Sequence, residues 1–169
     1  MRALVQRVSH ASVTIDGRIH GQIGQGFLVL LGITDGDTVD DAVYLADKTV
    51  KMRVFTDEND KMNRSLADVG GGLLIVSQFT LYGDCRKGNR PSYIHAAPEV
   101  VSRPLYERFA ARVAQLVCAL SWTAPANYTY RITPISYLLT PTYSQLVSTV
   151  LVTSTTPLME RRRLIILSS

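Results

Sequence analysis

Polar groups suited to holding a reacting centre are concentrated at Ser77-Gln78-Phe79-Thr80, directly after the apolar stretch Leu73-Leu74-Ile75-Val76. Ser77 and Thr80 offer hydroxyls, Gln78 offers an amide, and the backbone around Phe79 offers N–H donors. The run contains no histidine or carboxylate to act as a base, so a conventional nucleophilic triad is not expected. Such a group can instead stabilise an oxyanion and orient water or a substrate hydroxyl. The competing reading is a strand edge whose polar groups satisfy one another. Downstream, Arg86-Lys87-Gly88-Asn89-Arg90-Pro91-Ser92 is a basic, glycine-containing loop. It is either a phosphate contact or an ordinary solvated loop. Together the two segments suggest a small polar reaction centre beside a site for phosphates.

The elements that must position these groups can be read from period and punctuation. Gly70-Gly71-Gly72 precedes the Leu73–Val76 strand, and the polar residues from Val76 to Tyr82 are expected to continue its pattern. Arg2–Ser9, Ala11–Asp16 and Arg18–Ile23 alternate as strands, with Asp16-Gly17 as a hairpin turn. Phe27–Ile33 is a continuous apolar run, expected to be a strand buried on both faces. Thr38 with Asp41 predicts the start of an amphipathic helix over Val39–Met52. Val54-Phe55 then reads as a short strand, Asp57–Asp60 as a turn, and Lys61-Met62-Asn63 follows. A second helix is expected from Pro98 to Val117, burying Leu105, Phe109, Val113 and Leu116.

At 169 residues the chain is expected to form one main domain, and no apolar run approaches the length of a membrane helix. The N-terminal residues Met1 to Val8 alternate instead of forming a signal-peptide core, which makes a cytoplasmic protein the plain expectation. Cys85 and Cys118 lack metal spacing, as do His10, His20 and His95, and no metal site is expected. The formal net charge is +4, but residues 118–169 hold four arginines against Glu160 alone. Global charge therefore says little about partners. From Cys118 the composition changes abruptly. No glycine follows Gly88, no lysine follows Lys87, and Val150-Leu151-Val152 and Leu164-Ile165-Ile166-Leu167 are β-prone.

Taken together, Met1 to Val8, Gly26 to Gly32, Lys61-Met62-Asn63, Val76 to Tyr82 and Arg86 to Ser92 resemble the D-aminoacyl-tRNA deacylase (D-tyrosyl-tRNA deacylase) family over about residues 1–117. The resemblance implies a compact α+β, barrel-like domain acting as a homodimer, without a cofactor. It implies hydrolysis of the ester joining a D-amino acid, or glycine, to the terminal adenosine of tRNA. The Ser-Gln-Phe-Thr motif carries over onto Ser77, Gln78, Phe79 and Thr80, with backbone N–H groups, Phe79's included, holding the oxyanion. Thr80 is one candidate nucleophile; assistance from the tRNA's own ribose hydroxyl is the other, and suits a site without a base. The resemblance makes Arg7 a brace for the pocket, with Met62 and Asn63 in its substrate-binding wall. Arg86, Lys87 and Arg90 are candidate contacts to tRNA phosphates.

The C-terminal part departs from that family. Its second motif is a Gly-Pro pair with a cis peptide, which enters the partner's pocket and rejects L-amino acids. A chain with no glycine after Gly88 has no such pair. Thr133-Pro134, Thr140-Pro141 and Thr156-Pro157 carry a β-branched side chain instead. Residues 118–169 are therefore expected to be an aberrant tail, arising from a reading-frame shift near codon 118 or from genuine divergence.

Overall fold

Alternation near the N-terminus becomes β-structure as expected. Strand β1 (Arg2–Val8) buries Ala3, Val5 and Val8 and leaves Arg2 outside. Strands β2 (His10–Ile15) and β3 (Arg18–Ile23) form a hairpin. Its turn residues Asp16 and Gly17 both have left-handed backbone, φ 49° and 75°, as a two-residue turn matched to strand twist requires. These elements come from a computed structural model that describes residues 1–120, 151–155 and 164–169, with backbone alone for 118–120, 151–155 and 164.

The apolar run becomes β4 (Gly26–Gly32), a strand with a partner on each side and buried almost throughout, because Phe27, Val29 and Leu31 pack into one apolar cluster and Leu28 and Leu30 into another. Strand β1 pairs with it antiparallel, and β7 (Gly72–Ser77) pairs with it parallel. A parallel partner demands a crossover. That crossover contains helix α1 (Val39–Lys51) and the small hairpin of β5 (Arg53–Thr56) and β6 (Met62–Ser65). At the start of the ladder the two chains nearly touch: a Cβ on Gly26 would lie 1.9 Å from the Gly72 carbonyl oxygen. Glycine at position 26 is thus required for the pairing.

Two segments of the tail join these sheets. Strand β9 (Leu164–Ser168) adds to β1, giving the order β7-β4-β1-β9. Strand β8 (Leu151–Thr155) adds to β2, giving β3-β2-β8. The fold is α+β, as expected, but among the described residues it is not a closed barrel. Closure would need an outer strand of one sheet to ladder onto the other, and β7, β9, β3 and β8 each pair on one side alone. The prolines Pro134, Pro141 and Pro157 lie outside the described residues.

Both helices cover one face of the four-stranded sheet. Helix α1 begins with a reciprocal cap: the Asp41 N–H donates to the Thr38 hydroxyl, and the Thr38 N–H donates to the Asp41 carboxylate at 2.7 Å. Helix α2 (Glu99–Leu120) starts one residue after the expected Pro98, whose carbonyl accepts from Val101 and Ser102. Its Leu105, Tyr106, Phe109, Ala110 and Val113 share a core with Leu45, Ala46, Val29 and Ile75. The Tyr106 hydroxyl donates to the Ile75 carbonyl at 3.0 Å, fixing α2 over β7. The helices are also tied at their rim by Arg112 on Asp47, 2.7 Å apart, with Lys51 on the same carboxylate.

Hydrogen bonds from Arg112 and then Lys51 hold the Asp47 carboxyl down at about 2, below its ordinary 3.8. A depressed carboxyl stabilises the fold above its unfolded pKa, and the contribution fades as pH falls from 3.8 through 2. The pair is partly exposed, which limits its worth. Asp47→Asn should lower the neutral-pH melting temperature by a few degrees at most. The difference from the parent chain should be mostly gone near pH 2 and vanish below it, as followed by circular dichroism.

Candidate active site at the exit of β7

Strand β7 ends at Ser77, and Phe79–Tyr82 forms a 3-10 turn; the expected continuation of the strand pattern to Tyr82 is therefore corrected. The Gln78 N–H still donates to the Leu31 carbonyl at 2.8 Å, the last contact along β4. Beyond it the chain bonds to itself, Leu81 N–H to the Gln78 carbonyl at 3.4 Å and Gly83 N–H to the Thr80 carbonyl at 3.0 Å. The turn sits directly on Gly32. A Cβ there would lie 3.0 Å from Leu81 Cβ, 3.1 Å from the Gln78 oxygen and 3.2 Å from the Tyr82 ring. The missing side chain at Gly32 is what lets the turn lie this close to the sheet.

Ser77, Gln78 and Phe79 are half-buried and Thr80 is exposed. The Gln78 amide nitrogen donates to the Thr80 hydroxyl oxygen. An amide is no base in either orientation, so this contact places the hydroxyl without activating it. The four motif residues are thus brought together where the sheet passes into the turn, Ser77 closing β7, Gln78 linking the two, and Phe79 and Thr80 opening the turn.

The basic loop is anchored beside that turn. Asp84 and Ser92 exchange two backbone hydrogen bonds, 2.8 and 2.9 Å, which pinch the segment between them. Tyr93, just past the pinch, packs edge-on against Phe79 with ring centroids 5.1 Å apart. Within the loop Arg86 forks onto Asp84, with Nη2–Oδ2 2.7 Å and Nε–Oδ1 2.9 Å. The Arg86 guanidinium holds the Asp84 carboxyl far below its ordinary range, and the guanidinium is stabilised in turn. Lys87 and Arg90 are exposed, with no ion-pair partner among the described residues.

The other sequence-predicted residues lie elsewhere. Arg7 donates to the Val54 carbonyl and stands 6.0 Å above the Phe55 ring, on the β5 side of the molecule. Met62 is exposed on β6, and Asn63 accepts from Arg53 through its backbone carbonyl at 2.6 Å and through its side chain. Arg7 pairs with Phe27, at the opposite end of β4 from Leu31, the partner of Ser77. The five-residue step from Arg2 to Arg7 spans ~17 Å along the strand.

Two residues beside the turn were not singled out from sequence. Arg2 donates to the Leu81 carbonyl at 2.9 Å and lies 4.5 Å above the Tyr82 ring. His95 follows the pinched loop, and its carbonyl accepts from the Thr34 hydroxyl. Neither has a local sequence signal, because strand register brings in the first and the pinched loop the second. Among the described residues no three His, Cys, Asp or Glu side chains converge as metal ligands, and no helix is long and apolar enough to cross a membrane.

Known proteins match this arrangement. A sequence model of the family described as D-Tyr-tRNA(Tyr) deacylase matches residues 4–124. A D-aminoacyl-tRNA deacylase of Thermus aquaticus is 58% identical over 115 residues, covering 68% of this chain and 76% of that protein. One from Desulforamulus reducens is 57% identical over 118 residues, covering 70% of this chain and 77% of the relative. Among solved structures, a c-Myc DNA unwinding element binding protein superposes with a TM-score of 0.65 at 38% identity, covering 69% of this chain and 78% of that one. A probable eukaryotic D-amino acid tRNA deacylase superposes with a TM-score of 0.58 at 20% identity, over 77% of this chain and 82% of that one, a likeness of fold. The expected resemblance is therefore borne out, and the chain belongs to the D-Tyr-tRNA(Tyr) deacylase family.

Proposed function

We propose that this chain hydrolyses the ester of D-aminoacyl-tRNA, releasing the D-amino acid and free tRNA. The observation that carries the reading is the baseless polar turn at Ser77–Thr80, held on the sheet beside a cationic loop in a chain of this family. Water, assisted by the neighbouring ribose hydroxyl of the tRNA, attacks the ester carbonyl. Backbone N–H groups of the turn, Phe79's included, receive the developing oxyanion. The ester C–O bond then breaks, the ribose oxygen takes up a proton, and the amino acid leaves as its carboxylate. The protein supplies position and donors and the substrate supplies the hydroxyl, so the Gln78–Thr80 contact is an orienting one. Glycine esterified to tRNA, with no side chain to reject, fits the same chemistry. With tRNA as substrate, the place of action is the cytoplasm.

A homodimer belongs to this reading. Arg7 stands too far from its own chain's turn to brace it, so bracing by Arg7 requires the pocket of a second copy. Met62 and Asn63 fall on that same remote side and would line the substrate from there. The second reading is a non-catalytic tRNA-binding or dimerising relative, and the observation that favours it is the tail without glycine. We read residues 118–169 as the product of a reading-frame shift that removed the Gly-Pro filter.

Four tests check these statements. The purified chain should release D-tyrosine from D-tyrosyl-tRNA, and release of L-tyrosine as well would mark a working centre without its filter. No release of either would leave the non-catalytic reading standing. Thr80→Ala should keep kcat within about tenfold, whereas a loss of a thousandfold or more would make Thr80 the nucleophile. Neutralising Lys87 and Arg90 together should weaken tRNA binding and make the log–log salt slope shallower by roughly 1 to 2, with Arg86→Gln having the smaller effect on the slope. Translating the gene in its other frames beyond codon 117 should reveal a Gly-Pro pair; its absence from every frame would sink the frameshift account.

A further inference from the structure

We propose that Arg2 is a positioning residue for the reaction centre, fixing the Phe79–Tyr82 turn from the neighbouring strand; this rests on the deacylase reading given above. Arg2 lies opposite Gly32 in the β1–β4 register, and Gly32 has no side chain to stand between Arg2 and the turn. The guanidinium crosses that gap. It donates to the Leu81 carbonyl at 2.9 Å and covers the face of the buried Tyr82 ring at 4.5 Å. A carbonyl at the end of a helical turn lacks a partner within the turn, and a cationic donor satisfies both the oxygen and its dipole.

The turn has few other restraints at this end. Its first half is tied to β4 by the Gln78–Leu31 bond, and its internal Leu81–Gln78 bond is long at 3.4 Å. Leu81 and Tyr82 are therefore held by the Gly83–Thr80 bond of 3.0 Å that spans them, by packing on Gly32 and, from the neighbouring strand, by the Arg2 side chain. A shift there is transmitted along a four-residue turn to Phe79 and Thr80, whose positions relative to the ester decide the rate. Arg2 itself faces solvent and touches none of the motif's polar atoms, so its effect passes through Leu81 and Tyr82.

Arg2→Met and Arg2→Lys are compared with the parent chain in D-tyrosyl-tRNA turnover and in amide hydrogen exchange. Arg2→Met should lower kcat about tenfold while KM stays within about twofold, the signature of a displaced reacting geometry. Exchange should quicken in residues 78–83 and stay unchanged in β4. Arg2→Lys keeps a cation over the ring and one donor to the carbonyl, and should recover most of the loss. A rise in KM at constant kcat would make Arg2 a phosphate contact and overturn the proposal, as would unaltered exchange at residues 78–83. A parent chain that releases no D-tyrosine would sink the deacylase reading alone, because hydrogen exchange still decides whether Arg2 holds the turn. Should Arg2→Met fail to fold, the same two readouts on Arg2→Lys decide it, with smaller changes expected in the same direction.

Discussion

The parallel ladder between β4 and β7 is the constraint on which the rest depends. Its register sets Leu31 opposite Ser77, so the strand runs out of partners where the polar residues begin. Gly26 permits the ladder to start, and Gly32 permits the chain to fold down onto the sheet when it ends. Parallel pairing also dictates the long crossover, which lays α1 across a face of the sheet and brings the β5–β6 hairpin to its other end, beside Arg7. The candidate centre and the Arg7 group are thus separated by the same ladder that positions the candidate residues.

Much of the scaffold was legible because its signals are local. Thr38 and Asp41 announced the first helix through a cap they build between themselves. The unbroken run Phe27–Ile33 announced a central strand, and Asp16-Gly17 a left-handed turn. The end of β7 was less legible. Polar residues after an apolar strand look alike whether the chain continues or coils, and the choice was made by Gly32, forty-five residues before Ser77. The role of Arg2 depends on two register pairings, which no single segment encodes. That the described strands form open sheets instead of a closed barrel likewise depends on edges that only the folded chain reveals.

The tail adds a lesson about β-propensity. Its two stickiest segments, around Leu151–Val152 and Leu164–Leu167, lie along the outer edges of β2 and β1. Unpaired strand edges attract any extended apolar segment, because backbone hydrogen bonds carry no sequence information. Ile166 nevertheless remains two-thirds exposed, at 66%. Edge pairing by β9 therefore satisfies backbone groups of β1 more completely than it buries side chains.

The Asp84–Arg86 fork bears on how the loop would meet the phosphates proposed for it. With Arg86 bonded to Asp84 and the stem pinched at Ser92, the segment's shape is already restricted before any anion arrives. A loop ordered in advance loses less conformational entropy on binding than a floppy one, and this can offset the cation that Asp84 neutralises. Its selectivity would then rest on shape more than on charge, favouring a rigid, regularly spaced phosphate backbone over a diffuse polyanion.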